Sequence, residues 1–422
     1  MALAALGAPA PLPAQATPST YLVDRTDDVI VIGCAPLTLN DCSLRGAVQN
    51  ANANPGSTIE LDPLGTYTLT IIGELVLSTT TTINSQNGVC VFGACSAVIK
   101  GGPSWSDRLL EVMPGAAVGV NHVEFTGGNA NNGGALLNSG TLTLTTSQIF
   151  SNTAGGYGGG ILNFGNLTLT NTVVNGNKAL IVGGGIASES SDSLPATLAI
   201  TNSTIVTNST YGTIAGTGFG GGIASFDNIS GTIHPKATLS NSSILSNTTD
   251  VVGLGGGLYL SGSNTFINVT LRGNASGSGG GADVNGQLIM QGGVVLSNTG
   301  AITGGGGGLY LNAVTSLINV TVQGNSASGG GGIEVSFGRL NMQGGSVVSN
   351  TATTSSGSGG GIRADGPLTL TNVWVGYNHA LGGGGGGGLS SNAPTLITNS
   401  NFTHNNAEGG AAPSGWAASP VC

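Results

Sequence analysis

Ionisable side chains are scarce in this chain, and five residues stand in one line. Tyr259, Asp283, Tyr310, Glu334 and Arg363 each follow, by one residue, the aliphatic or alanine residue that closes a glycine-rich phrase. If those phrases repeat in space, the five side chains form one outward column on successive turns. Two acids and a base interleaved with phenol rings suit a carbohydrate or protein contact, with a sugar stacking on Tyr259 and Tyr310 and Asp283 between them. The ordinary alternative is a solvated strand face, with Glu334 and Arg363 making an exposed ion pair of little energetic weight. Polysaccharide lyases and glycosidases need clustered carboxylates, or carboxylates beside a Lys or Arg base and calcium. Three or more convergent ionisable groups in one groove would point that way. The sequence offers Asp283, Glu334 and Arg363 in a single file.

Other chemistries find less footing. His122, His234, His379 and His404 share no ligand spacing, so no metal site is expected. Gly277-x-Gly279-x-x-Ala282 mimics a dinucleotide fingerprint, but 77 glycines generate such matches by chance, and no cofactor is expected. A second outward column, Phe266, Ile289 and Leu317, reads as an exposed apolar docking stripe, unless the strand register is one residue off. Its earlier members are Thr143 and Thr168, so a threonine ladder of the kind that binds ice is read as broken where the column turns apolar.

The elements that must position these residues repeat. Gly-Gly-Gly-Ile or a close variant recurs at Gly158–Ile161, Gly183–Ile186, Gly220–Ile223, Gly255–Leu258, Gly279–Ala282, Gly306–Leu309, Gly330–Ile333, Gly359–Ile362 and Gly386–Leu389. The usual period is about 24 residues, the size of one turn of a solenoid. Residues 158–177 hold three short runs of β-type alternation: Gly158–Asn163, Leu167–Leu169 and Thr172–Val174. The fold expected is an all-β, right-handed parallel β-helix with three short strands per coil. One inward column is Ala135, Ile161, Ile186, Ile223, Leu258, Ala282, Leu309, Ile333, Ile362 and Leu389. A second is Leu144, Leu169, Ile200, Leu239, Ile267, Met290, Ile318, Met342, Leu370 and Ile397. A third column, from Asn152 through Asn177 and Asn298 to Asn405, is asparagine throughout, suited to left-handed turns and to amide ladders. Two stretched periods hold loops at Ser188–Pro195, Tyr211–Thr217 and Phe226–Pro235, either one wall of a binding surface or plain insertions.

Composition sets bounds. Charged residues make up 6% of the 422, against about a quarter in ordinary domains. The net charge is −9 with no basic run, which disfavours nucleic acid and anionic membranes. No apolar stretch is long enough to be a transmembrane segment. Residues 1–16 read as a signal-peptide remnant, with Ala14-Gln15-Ala16 as a small-residue cleavage site, though the basic n-region is missing. Cys34 with Cys42 and Cys90 with Cys95 read as two small-loop disulfides of an exported protein, leaving Cys422 over. Residues 17–56 read as an N-terminal cap, with an amphipathic helix near 43–53 that presents Leu44, Ala47, Val48 and Ala51 on one face. The β-helix then occupies 57–406, and a Pro/Ser/Ala-rich tail occupies 407–422.

Cys42-Ser43-Leu44-Arg45-x-Ala47, followed by Ala51-Asn52 and Gly65-Thr66-Tyr67-Thr68-Leu69, resembles the CSLREA N-terminal domain of bacterial secreted repeat proteins. Gly46 stands where that family has Glu. The Gly-Gly-Gly-Ile and x-x-Ser-Asn phrases resemble the GGAI and FxxN repeats of polymorphic outer membrane proteins. Phe402-Thr403-His404-Asn405 matches the second motif in full, and Ile149-Phe150-Ser151-Asn152 and Val347-Val348-Ser349-Asn350 match it loosely. The resemblance implies a right-handed parallel β-helix, export and adhesion at the cell surface. The functional expectation is a secreted or surface-displayed adhesin or structural module without catalysis. Its partners would be glycans, surface proteins or copies of itself. A carbohydrate-active enzyme is the rival, and a self-assembling filament subunit the third reading.

Overall fold

The computed structural model describes residues 17–31, 33–35, 38–71, 73–85, 96–191, 194–212, 218–227, 233–301, 305–354, 358–382 and 385–408. The chain is an all-β parallel β-solenoid of about 12 turns. Among the described residues it has one helix, α1 (Leu44–Ala53). Three long sheets run its length. The first has 14 strands, from Thr20–Leu22 to Thr395–Thr398; the second has 12, from Leu75–Leu77 to Leu389–Ser391; the third has 13, from Thr66–Leu69 to Asn401–Thr403. One turn shows the path. Ile161–Asn163 joins the second sheet, Asn166–Thr170 the first, Val173–Asn175 the third, and a two-residue strand, Lys178–Ala179, completes the circuit in a small fourth sheet. Sequence reading had not anticipated that last strand.

Alternation drives the wrap. In Thr141–Thr145, Leu142 and Leu144 are buried while the three threonines point out. Stacking such strands in parallel register fills a continuous aliphatic interior, with Ile161, Ile186, Ile223 and Leu258 paired in sequence and inaccessible to solvent. Leu136, not Ala135, pairs with Ile161.

Each glycine of a triplet answers a different constraint. Gly158 has φ +66°, in the left-handed region. A Cβ on Gly159 would lie 2.2 Å from the Gly184 carbonyl, and one on Gly160 would lie 3.1 Å from the Asn177 amide carbon.

That amide belongs to an internal ladder. Asn152 donates from Nδ2 to Asn177 Oδ1 at 2.9 Å and from its backbone N–H to the same oxygen at 3.0 Å. The pattern continues through Asn208, Asn247, Asn274, Asn298, Asn325, Asn350 and Asn378 to Asn405. These asparagines are not the left-handed residues. That conformation falls one position earlier, at Ser151 (φ +55°), Thr207 (+52°), Ser297 (+52°) and their equivalents. The ladder amides meet the hydrogen-bonding demand of a sharp interior corner.

Helix α1 packs against Thr20–Leu22, Ser57–Leu61 and Leu75–Leu77. The Ser43 side chain caps it by accepting from the Gly46 N–H at 3.0 Å. Cys34 and Cys42 are joined in a disulfide beside it; Cys90, Cys95 and Cys422 lie outside the described residues. No helix among the described residues is long and apolar enough to cross a membrane.

Candidate functional site: a polar cleft on the outer face of the second sheet

The outward column expected from sequence is a real line of neighbours. Tyr259 pairs with Asp283, Asp283 with Tyr310, Tyr310 with Glu334, and Glu334 with Arg363. The face is not openly solvated, because a second row of residues lies alongside it. Tyr157, Val182, Phe219, Leu254 and Ser278 bridge in succession, and Gly305 bridges to Gly329. Each precedes its glycine triplet by one residue, and five residues further on comes the outward side chain of the same turn.

Along the first turns this flanking row is large and apolar. Val182 and Phe219, with Tyr157 and Ile181, pack on Leu162, Ala187, Ala224 and Tyr259 as a small external hydrophobic cluster. The Tyr259 ring packs on Phe219 in a tilted contact, with centroids 5.0 Å apart, and so joins this cluster on one side while Asp283 neighbours it on the next strand. From Ser278 onward the flanking row shrinks to serine and glycine, and a cleft of about 760 Å³ opens. Asp283, Tyr310, Glu334 and Arg363 line it, with Leu254, Ser278, Gly305 and Ser328 along the flank and Asn285, Asn312 and Phe337 on the other side. Four of the five residues in the expected column therefore share one cleft.

Burial governs the electrostatics. Asp283 is fully buried, and desolvation pushes its carboxyl up to about 7, opposed by a hydrogen bond from Asn285 Nδ2 to Oδ1 at 2.5 Å. Asn312 Nδ2 in turn donates to Asn285 Oδ1 at 2.9 Å. Glu334 is 6% exposed, and burial raises its carboxyl against the pull of Arg363. The Arg363–Glu334 pair, at 3.4 Å, is thus sunk on the acid's side and not the exposed ion pair expected. Arg363 also pairs with Asp365 at 2.9 Å. Among the described residues, three buried polar atoms here have no hydrogen-bond partner: Asp283 Oδ2, Asn312 Oδ1 and Glu334 Oε2. A Cβ on Gly305 would come within 1.9 Å of Glu334 Oε2, so a larger residue there would displace that carboxylate.

The apolar docking stripe is corrected. Leu239 pairs with Phe266, Phe266 with Met290, Met290 with Leu317, and Leu317 with Met342. Phe266 and Leu317 are therefore core residues, fully buried, and Ile267 and Ile318 take the outward places. Of the three, only Ile289 faces out, at 39% exposure. The outward column reads Thr143, Thr168, Ala199, Thr238, Thr265, Ile289, Ser316, Asn341 and Thr369, so the threonine row does not turn apolar. β-Branched Ile267 and Ile318 drew the register one residue off.

The sequence reading missed Asn285, Asn312, Phe337 and the flanking row. Strand alternation carries a signal for the amides, because residues two apart share a face. Asn285 and Asn312 each lie two beyond Asp283 and Tyr310. Among the described residues no group of three or more His, Cys, Asp and Glu is placed to hold a metal ion. The chain matches no protein-family model, and no curated protein matches it.

Proposed function

We propose that this chain is an exported recognition solenoid, a surface adhesin or interaction module that captures its partner in the cleft of residues 278–363 without transforming it. In this reading the turns are right-handed three-strand coils of about 24 residues, and α1 covers the first of them. The carrying observation is the coupled change in two rows of residues: where the flanking side chains shrink, the outward ones become polar and a cleft opens. A purely structural solenoid gains nothing from replacing Phe219 and Leu254 by Ser278 and Gly305. Export is supported by the Cys34–Cys42 disulfide, which suits an oxidising compartment, by the small-residue motif at Ala14-Gln15-Ala16, and by the resemblance to CSLREA and polymorphic outer membrane protein repeats.

The test is capture of the full chain on an array of immobilised glycans and matrix proteins, with reducing ends assayed in parallel. Ser278→Leu restores the aliphatic flank found one turn earlier and fills the cleft. Capture lost in this variant, without product release by the wild type, is the expected outcome. Capture indifferent to Ser278→Leu overturns the proposal. One observation favours a second reading, a glycoside-cleaving enzyme: Asp283, Glu334 and Arg363 converge on one cleft, the mark expected of such a site, and both acids have raised pKa. Reducing ends released by wild type but not by Glu334→Gln would establish it.

A further inference from the structure

The recognition reading leaves open the chemistry of the partner, and the inference drawn here rests on that reading. We propose that the cleft is a subsite for an uncharged saccharide, with Tyr310 and Phe337 as ring surfaces and Asn285, Asn312 and Glu334 as polar contacts.

Three observations point the same way. The first is unmet hydrogen-bonding capacity. Asp283 Oδ2, Asn312 Oδ1 and Glu334 Oε2 are buried in the cleft wall without partners, and such groups are costly unless something satisfies them. Sugar hydroxyls both donate and accept, so one ligand class can serve amide oxygens and carboxyl groups in either protonation state.

The second is charge. Among the described residues Arg363 is the only cation lining the cleft, and Glu334 and Asp365 already hold it. A uronate or sulfated sugar would find no free positive group, and two acidic side chains would face it. The −9 net charge of the chain adds to that repulsion.

The third is the apolar surface. The Tyr310 ring sits in register between the two acids, and Phe337 projects at the rim, 88% exposed. An isolated exposed phenylalanine beside polar walls suits a pyranose, whose C–H face is apolar and whose edge is hydroxylated. A protein side-chain anchor would instead want an apolar floor, which is what the neighbouring cluster around Phe219 has and the cleft lacks. At about 760 Å³ the space suits a short oligosaccharide.

The test is calorimetric titration of the full chain with neutral oligosaccharides (gluco-, manno- and xylo-oligomers) and with anionic ones (oligogalacturonate, heparin fragments). At least one neutral series should bind and the anionic ones should not. Phe337→Ala changes only a surface side chain, so its fold is secure; it and Tyr310→Ala should each weaken binding about tenfold. Thermal melts of both variants control for folding. An anionic sugar bound in the cleft overturns the inference. So does neutral binding that both alanine variants retain, or failure of every neutral series. If no sugar binds yet Ser278→Leu still abolishes capture of an array protein, only the saccharide assignment falls. If capture is indifferent to Ser278→Leu, the recognition reading falls with it.

Discussion

Asp283 carries a prediction with a definite sign. Its carboxyl is raised from 3.8 to about 7 by burial. Between those values the folded chain holds a proton that the unfolded chain releases. Stability from this group is therefore complete below pH 4, falls as pH climbs towards 7 and is flat above. Asp283→Asn removes the penalty. Its melting temperature should exceed wild type at pH 8 by an amount worth a few kcal/mol and match it near pH 4, as scanning calorimetry at the two pH values will show. Asp28 behaves oppositely. Burial works to raise its pKa, but the Arg45 guanidinium at 2.7 Å and the Ile71 and Thr70 N–H groups outweigh it and hold the carboxyl low. That stability is present at neutral pH and lost as pH falls through the folded pKa. Asp28→Asn should therefore lower the denaturation midpoint at pH 7 and leave it nearly unchanged in strong acid, a comparison urea titrations can make.

At the scale of elements, α1 and the asparagine column are the sensitive parts. Gly46 read from sequence as a departure from the CSLREA pattern. The structure gives it a local reason: a Cβ at that site would meet the Val31 carbonyl oxygen at 1.8 Å. Gly46→Ala should expose the strand Ser57–Leu61 beneath the helix, seen as faster amide hydrogen exchange there, although alanine favours an isolated helix. The asparagine column is equally exacting. Asn298 Oδ1 accepts from both the backbone and the side chain of Asn274. Asn298→Ala would strand both donors in the interior and should cost about 3 kcal/mol in chemical denaturation. Elements were legible wherever one column has a constant chemistry. The glycine triplets and the asparagines announce themselves, and so does the residue after each triplet. Phe266 and Leu317 were misread because isoleucine next door looked the better core residue. Counting a fixed offset of eight from Leu258 and Leu309 places them correctly.

For the molecule as a whole, order along one axis means that each turn depends on its neighbours alone. Removing residues 153–177 takes out one full period, the 25 residues between Asn152 and Asn177, and returns every column to register. Such a deletant should keep a cooperative melt by circular dichroism, whereas removing half of that segment should abolish it. This regularity made the solenoid readable from sequence, and it also hid the cleft. Periodicity identifies which residues share a column, but the cleft arises from a change in side-chain size between two columns, Leu254 to Ser278 beside Tyr259 to Asp283. Nor does a repeat reveal that Asp283 and Glu334 are buried, since that depends on how closely the flank approaches.

The asparagine column has an electrical consequence. Each side-chain oxygen from Asn177 to Asn405 accepts from the turn before, while each Nδ2 from Asn152 to Asn378 donates both to the following asparagine oxygen and to a backbone carbonyl of the preceding turn, so the amide carbonyl dipoles share one sense along the axis. The solenoid thus carries a field along its interior, with its positive pole emerging at Asn405. Whatever abuts that end meets a partial charge supplied by neutral side chains.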